Sequence, residues 1–244
     1  MAAALAAALA GPASAAPDWK ANLAAAERYA ERRAGVESFA VVDERGRLHA
    51  WGGRRVHPSA SLLKPMLLVA YLDRPGVRGR ELTRDERALL GPMIRRSANE
   101  PASYLVRLLG AAPLDRLAAR AGMTHFRLRS PWGLSETTAR SQARFLRRID
   151  RLLPKRHNAY ARHLLATVVP SQRWGIPPVV PSGWRLLLKG GWGSGTGRVT
   201  HQVAVLERGR RRLSLAILTG WNPSHRYGTE TVRGLAARLL HDVR

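Results

Sequence analysis

Ser61 and Lys64 are the residues of this 244-residue chain whose types and spacing point most directly to chemistry. Residues three apart share one face of a helix, so a helix starting here would point the hydroxyl and the amine the same way. A partly desolvated lysine can act as the base that activates a serine, and a helix N-terminus favours the negative charge that develops on the oxygen. The alternative is structural, with Ser61 serving only as a helix cap.

Two further short motifs carry the other candidate site residues. Ser97-Ala98-Asn99 falls between predicted helices, and Lys189-Gly190-Gly191 falls at the end of a predicted strand. The chain contains only four lysines, and two of them, Lys64 and Lys189, lie in these motifs. The placement of these two lysines is therefore more informative than the overall charge.

The elements that must position these motifs follow the order helix, two strands, helical block, three strands, helix. Hydrophobic periodicity and turn residues predict helices over 18–34, 83–95, 102–110, 114–121, 137–153, 158–168 and 228–242, besides the one that starts at Ser61. They predict strands over 38–42, 48–51, 184–188, 200–206 and 213–218, with irregular connections over 123–136 and 170–184.

This order predicts an α+β fold. We expect about five strands in one antiparallel sheet, flanked by the N- and C-terminal helices, with an all-α subdomain inserted between the strands. Residues 18–244 would form a single domain, in which 18–60 and 170–244 make the α/β part and 61–169 the helical part.

Residues 1–17 are predicted to be a leader. The first 16 are an alanine-rich apolar run that ends in Ala13-Ser14-Ala15, which matches the apolar region and cleavage site of an export signal, although no basic residue precedes it. The alternative is a disordered alanine-rich segment. The run is too short to span a membrane, so we expect a secreted or cell-wall-associated protein without a transmembrane span.

The amino-acid composition limits the classes of partner and of catalytic group that the chain can have. The formal charge is +24, and 37 of the 41 basic residues are arginine, a bias that partly resembles the codon usage of a GC-rich genome. Such a charge would attract an anionic cell-wall polymer, but no nucleic-acid-binding fold accompanies it, and specific nucleic-acid binding is not expected. The absence of cysteine excludes a thiol nucleophile, and the eight histidines show no metal-binding spacing. We expect no cofactor and no metal, and a monomer.

The three motifs, in this order and at these junctions, resemble those of the serine β-lactamases and penicillin-binding proteins, class A β-lactamases most closely. The resemblance covers residues 18 to 242. It implies that Ser61 is the nucleophile that forms an acyl-enzyme, and that Lys64 is its base, directly or through a water. It also implies that Ser97 relays a proton to the leaving nitrogen.

The resemblance assigns the remaining site residues as well. Asn99 would orient Lys64 and bind the substrate amide, while Lys189 would add positive potential and hold Ser97. Gly191 and Trp192 would line the substrate site, and the backbone N–H groups of Ser61 and Trp192 would form the oxyanion hole.

Three positions depart from the family pattern. Residues 121–135 contain no acidic residue where class A enzymes carry the glutamate that activates the deacylating water. Glu136 follows that stretch but is interpreted as a capping-turn residue, and Glu100, beside the second motif, is the nearest possible base. Gly190 lacks the hydroxyl that the family offers to a substrate carboxylate, and Ala98 replaces an aspartate.

The sequence therefore predicts a serine hydrolase of the β-lactamase/DD-peptidase type. Its substrate would be a β-lactam or a peptidoglycan-like amide, and deacylation of Ser61 would be slow. The alternatives are a non-catalytic relative that binds a cell-wall peptide or an anionic polymer, and nucleic-acid binding driven by arginine content.

Overall fold

The computed structural model describes residues 16–244. The predicted leader, residues 1–17, lies outside this range except for its last two residues. Two antiparallel sheets are built from eight strands: β1 (Val36–Val42), β2 (Leu48–Trp51), β3 (His57–Pro58), β4 (Phe126–Arg127), β5 (Glu136–Thr137), β6 (Arg185–Gly193), β7 (Val199–Arg208) and β8 (Arg211–Gly220). The large sheet has the order β2-β1-β8-β7-β6, and the small one has the order β3-β5-β4.

Nine α-helices surround the sheets within the described residues: α1 (Trp19–Ala30), α2 (Lys64–Leu72), α3 (Pro75–Arg78), α4 (Arg84–Arg95), α5 (Asn99–Leu109), α6 (Ala111–Ala121), α7 (Ala139–Leu152), α8 (Lys155–Ala166) and α9 (His225–Leu239). Short 3-10 turns occupy 60–63, 132–134, 170–172 and 177–179. None of the helices in residues 16–244 is both long enough and apolar enough to cross a membrane.

The large sheet separates two hydrophobic cores. Successive side chains of a strand point to opposite faces, so Phe39 and Val41 pack towards α1 and α9, while Ala40 and Val42 pack towards the helical block. Both faces are covered, which explains why the central strands read as nearly continuous apolar runs.

Helix α2 lies at the centre of the helical block. All nine of its residues are buried, and it contacts α4, α5, α6 and α8. Capping residues fix the ends of the surrounding helices. Thr83 and Glu86 form a reciprocal capping box at α4, and Gly122 ends α6 in a left-handed conformation.

The predicted α+β architecture is confirmed: five antiparallel strands form one sheet, with α1 and α9 on one face and a helical insertion on the other. Several boundaries differ. Asn99 is the first residue of α5 rather than part of a loop, and α7 starts at Ala139 after an N-cap at Thr138. Strands β6, β7 and β8 are longer than predicted, because their pairing continues through polar and glycine residues beyond the apolar runs.

Candidate active site

Ser61 lies in a 3-10 turn, Ala60–Leu63, that runs directly into α2 at Lys64. Residues i and i+3 eclipse in a 3-10 turn, so Ser61 and Lys64 share a face, as their spacing predicts. Ala60 has a φ of +44°, a left-handed conformation that costs a non-glycine residue on the order of 1–2 kcal/mol. The hydrogen bonds of Ser59 N to Ser135 O and of Leu62 N to Ser59 O hold this segment in place.

Lys64 is a fully buried lysine whose ammonium is surrounded by oxygen acceptors. Its Nζ donates to the Ser97 backbone oxygen, to Ser97 Oγ at 3.1 Å and to Asn99 Oδ1 at 2.9 Å. Ser97 itself has a φ of +59°, so a second strained residue borders the site. Burial lowers the pKa of Lys64 to about 7, because removal from water disfavours the charged form.

Lys189, on β6, reaches the same hydroxyl from the opposite side. Its Nζ donates to Ser97 Oγ at 3.0 Å and to the Gly190 backbone oxygen at 2.7 Å. Lys189 is also fully buried, and burial, together with the nearby Lys64, lowers its pKa well below the ordinary range. Two lysines thus meet at one serine oxygen, which accepts a hydrogen bond from each.

Ser61 is a buried residue, with 8% of its surface exposed. No residue of the described chain makes a hydrogen bond to Ser61 Oγ, and Lys64 Nζ is instead engaged by Ser97 and Asn99. The nucleophile and its expected base therefore share a helix face without being bonded to each other. A proton transfer between them needs a small side-chain movement or a bridging water.

Gly191 brings the backbone of β6 against the turn that carries Ser61. A Cβ at Gly191 would lie 3.2 Å from Leu62 N, from Leu62 Cγ and from Ser59 O, which is tighter than most Cβ contacts, so glycine favours this close approach. Trp192 follows on the same strand. The backbone N–H groups of Ser61 and Trp192, the expected oxyanion hole, consequently lie on two elements in direct contact.

An aromatic cluster, formed by Trp174, Trp192 and His225, lies beside Lys189 and Gly190 of β6. The ring centroids of Trp174 are 6.1 Å from Trp192 and 5.2 Å from His225, both edge-to-face. A Cβ at Gly190 would lie 3.3 Å from Cζ2 of Trp174. The indole of Trp174 therefore occupies space beside Gly190 where a larger side chain would project.

Neither glutamate near the motifs is hydrogen-bonded to the lysine cluster. Glu100 is exposed in the first turn of α5. Glu136 lies three residues before the start of α7 rather than in a capping turn: it belongs to β5, forms an ion pair with Arg129 and is hydrogen-bonded to His125. Its hydrogen bond from Arg129 is the main reason why the pKa of Glu136 is lowered.

Trp132 occupies the side of the site nearest Lys64. Its indole ring centroid is 5.2 Å from Lys64 Nζ, and its Nε1 donates to Ser103 Oγ at 2.9 Å. Trp132, Trp174 and Trp192 contact residues of the motifs. Trp184 is buried in the core under α1 and α9 instead.

Two buried histidines support the nucleophile segment, and the sequence motifs do not identify this role. His201 Nε2 donates to Pro58 O at 2.9 Å, because its Nδ1 accepts from Thr219 N. His57 Nε2 lies 2.9 Å from Ser38 Oγ, and the two rings meet edge-to-face at 5.7 Å. The only sequence signal for them is a histidine in an otherwise buried strand.

The arrangement is suited to attack by a serine on a carbonyl rather than to metal chemistry. Within residues 16–244, no group of three or more His, Asp or Glu side chains is placed to hold a metal ion. Both buried lysines donate hydrogen bonds to Ser97 Oγ, an arrangement that could supply a proton acceptor and a positive potential.

Comparison with known proteins agrees with this geometry. Residues 78–243 match the model of the β-lactamase enzyme family; the matched region includes Ser97, Asn99, Lys189 and Trp192 and begins after Ser61 and Lys64. No curated protein matches the sequence at a significant level.

Solved structures share the fold. The β-lactamase of Sphaerobacter thermophilus is 20% identical with a TM-score of 0.77, covering 92% of this chain and 97% of its own. The β-lactamase of Desulfarculus baarsii is 23% identical with a TM-score of 0.73, covering 91% and 98%. A reconstructed class A β-lactamase of the last common ancestor of Gram-negative bacteria is 21% identical with a TM-score of 0.76, covering 91% and 98%.

Proposed function

The chain belongs to the β-lactamase enzyme family and is a serine hydrolase of that type, and from this premise we propose that it forms an acyl-enzyme on Ser61. The substrate is a β-lactam or a peptidoglycan-like amide. The observation that carries the proposal is the convergence of Lys64 and Lys189 on Ser97 Oγ, at 3.1 and 3.0 Å, beside the turn that holds Ser61.

Lys64 takes the proton of Ser61 as the oxygen attacks the substrate carbonyl. With a pKa of about 7, Lys64 is unprotonated in a large fraction of molecules at neutral pH, which suits a general base. Asn99 and Ser97 hold the amine within reach through their hydrogen bonds. The backbone N–H groups of Ser61 and Trp192 stabilise the oxyanion.

Ser97 passes its hydroxyl proton to the leaving nitrogen and receives in its place, from Lys64, the proton that Lys64 took from Ser61. Its Oγ accepts hydrogen bonds from both lysines, so its own hydrogen is directed away from them. A hydroxyl has one donor and two acceptor sites, and with both acceptor sites filled the donor is available to the substrate. The positive potential of Lys189 makes that proton easier to transfer.

Release of the acyl group is slow in this proposal. A water that attacks the ester needs a base, and the nearby carboxylates are engaged or turned away: Glu136 is paired with Arg129 and His125, and Glu100 is exposed on α5. The ring of Trp132, rather than a carboxylate, lies beside Lys64, with its centroid 5.2 Å from Nζ. The acyl-enzyme is therefore expected to accumulate.

Recognition of the substrate differs from the family pattern at Gly190. Gly190 offers no hydroxyl to a carboxylate, and Trp174 fills the adjacent space. The aromatic cluster instead presents a ring surface beside Lys189. With residues 1–17 as an export signal, the enzyme would meet its amide substrate outside the cytoplasm, secreted or associated with the cell wall.

The test is covalent labelling with a fluorescent penicillin. The wild type should give a labelled band that survives denaturation, and Ser61→Ala, which removes a single oxygen, should give none. Ser59→Ala is the matched control, because Ser59 is a buried serine of the same segment whose hydroxyl contacts only a backbone oxygen; it should label like the wild type. A wild type that stays unlabelled but binds a cell-wall peptide would favour the non-catalytic alternative.

A further inference from the structure

A groove lined by arginines runs between β2, at one edge of the large sheet, and α7. It consists of two adjoining cavities of about 540 and 470 Å³ that share Leu48 in their walls. Eight arginines line this groove: Arg45, Arg54, Arg55, Arg140, Arg144, Arg147, Arg148 and Arg151. We propose that the arginine groove binds a linear phosphodiester polymer, and that this site is separate from the hydrolase site.

The arginines of the groove lack carboxylate partners. Ten other arginines of residues 16–244 form ion pairs, but none of these eight does. The one carboxylate in the groove wall, Glu44, is already paired with Arg211. The Nε atoms of Arg140 and Arg147 are buried and have no hydrogen-bond partner in the described chain. Three of the eight, Arg55, Arg144 and Arg147, donate to the backbone oxygens of Glu37, Gly122 and Glu44. The groove therefore holds an excess of positive charge that no ion pair within the described chain neutralises.

The spacing of the charges fits a chain-like anion. Arg140, Arg144, Arg148 and Arg151 follow one another along α7 at intervals of four, four and three residues. At 1.5 Å per residue this makes a row about 16 Å long with a charge at roughly each helical turn. Arg45, on the turn between β1 and β2, faces this row from the other wall. A polymer with one negative charge per repeat unit can contact several of these guanidinium groups at once.

The chemistry of the walls favours a polyanion made mainly of hydrogen-bond acceptors, such as a phosphodiester polymer. Apart from Glu44, the side chains lining the groove are guanidinium donors or apolar groups. The ligand must therefore consist mainly of acceptors, as a phosphodiester does, and guanidinium binds phosphate with two parallel hydrogen bonds. No aromatic side chain lines the groove, so bases would find no stacking surface, and a polymer without bases is favoured over nucleic acid.

The groove lies away from Ser61. Strands β2 and β6 form opposite edges of the five-stranded sheet, so the groove and Lys189 are separated by four strand spacings, about 19 Å. A polymer in the groove would hold the enzyme on an anionic surface while its hydrolase site stays open. The partner is thus an anchor rather than a substrate.

Fluorescence anisotropy with end-labelled poly(glycerol phosphate) of about ten units tests the proposal. The variant Arg45→Glu/Arg151→Glu reverses one exposed arginine on each wall. The control Arg28→Glu/Arg233→Glu makes the same charge change on α1 and α9, across the sheet. The groove variant should bind at least tenfold more weakly than the wild type, and its affinity should depend less steeply on salt. The control should stay within threefold of the wild type.

Equal weakening of the two variants would overturn the proposal, because it would reduce binding to net charge. Tighter binding of oligo-dT of equal charge, or equal binding of polyglutamate, would also overturn it. If the groove variant fails to fold in a thermal melt, Arg45→Gln/Arg151→Gln replaces it with the same expected order. Ser61→Ala should bind the polymer like the wild type, so failure of the hydrolase proposal would not affect the result.

Discussion

At the residue scale, the proposed attack by Ser61 depends on two lysines that the fold buries away from water. Lys64 and Lys189 are fully buried, and each donates a hydrogen bond to Ser97 Oγ. Burial is costly for a charged amine, but it gives Lys64 a pKa near neutrality. A lysine at the protein surface, with its ordinary pKa, would remain protonated and could not act as a base.

The rate of acylation should follow the protonation of Lys64. Below pH 7 the base is protonated, so the rate constant should fall about tenfold per pH unit, and above pH 8 it should level off. Stopped-flow labelling with a fluorescent penicillin between pH 5.5 and 9 measures this profile, with circular dichroism at each pH to confirm folding. A rate constant that does not change across this range would exclude Lys64 as the base.

At this scale the motifs identify the chemical residues, and the family resemblance implies that Asn99 orients Lys64 and that Lys189 holds Ser97, but the other contacts are not predicted. The spacing of Ser61 and Lys64 predicts a shared face, which the 3-10 turn provides. It does not reveal that Lys64 is bonded to Ser97 and Asn99 rather than to Ser61, because those contacts depend on how α5 docks against α2. The supporting role of His201 is equally invisible, since its partner Pro58 is 143 residues away.

At the scale of elements, the site is formed where β6 meets the 3-10 turn before α2. This contact depends on Gly191, whose missing side chain lets the strand backbone approach Leu62 and Ser59. The order of the elements can be predicted from the sequence, because apolar periodicity and turn residues agree along the chain. The close approach of β6 to the 3-10 turn cannot be predicted, because a glycine in a strand has several explanations.

Gly191→Ala should therefore displace the nucleophile turn. The new Cβ would lie 3.2 Å from two backbone atoms, and relief of that crowding should cost about 1–3 kcal/mol of unfolding free energy and slow acylation more than tenfold. Gly195→Ala is the matched control, because a Cβ there meets nothing within 4 Å. Thermal melts and labelling rates of both variants test this, and equal behaviour of the two would contradict the role of Gly191.

At the scale of the whole molecule, buried titratable groups connect stability to pH. Burial lowers the pKa of His57 to about 3 and that of His201 to about 4. Unfolding returns them to ordinary values, so the stability they contribute is present above pH 6.5 and is lost as pH falls towards 4. Glu37 acts in the opposite sense, because burial raises its pKa to about 7, and its contribution is lost as pH rises through 7.

Urea unfolding at pH 7.5, 6.0 and 5.0 separates these contributions. Each histidine adds a slope of at most about 1.4 kcal/mol per pH unit. His201→Gln should lose less stability on acidification than the wild type, and Glu37→Gln should lose more. If His201→Gln loses as much stability as the wild type between pH 7.5 and 5.0, the buried neutral histidine is not the source of acid sensitivity.

Ser61 should become acylated, and its acyl group should be released slowly. The mass of the intact protein during incubation with a β-lactam measures both steps and is the most direct test. The proposal predicts that one adduct of the full mass of the β-lactam appears on Ser61, is absent from Ser61→Ala, and persists long after free β-lactam is removed. An unmodified mass after long incubation would contradict acylation. A transient adduct, with complete hydrolysis of the β-lactam, would contradict slow release.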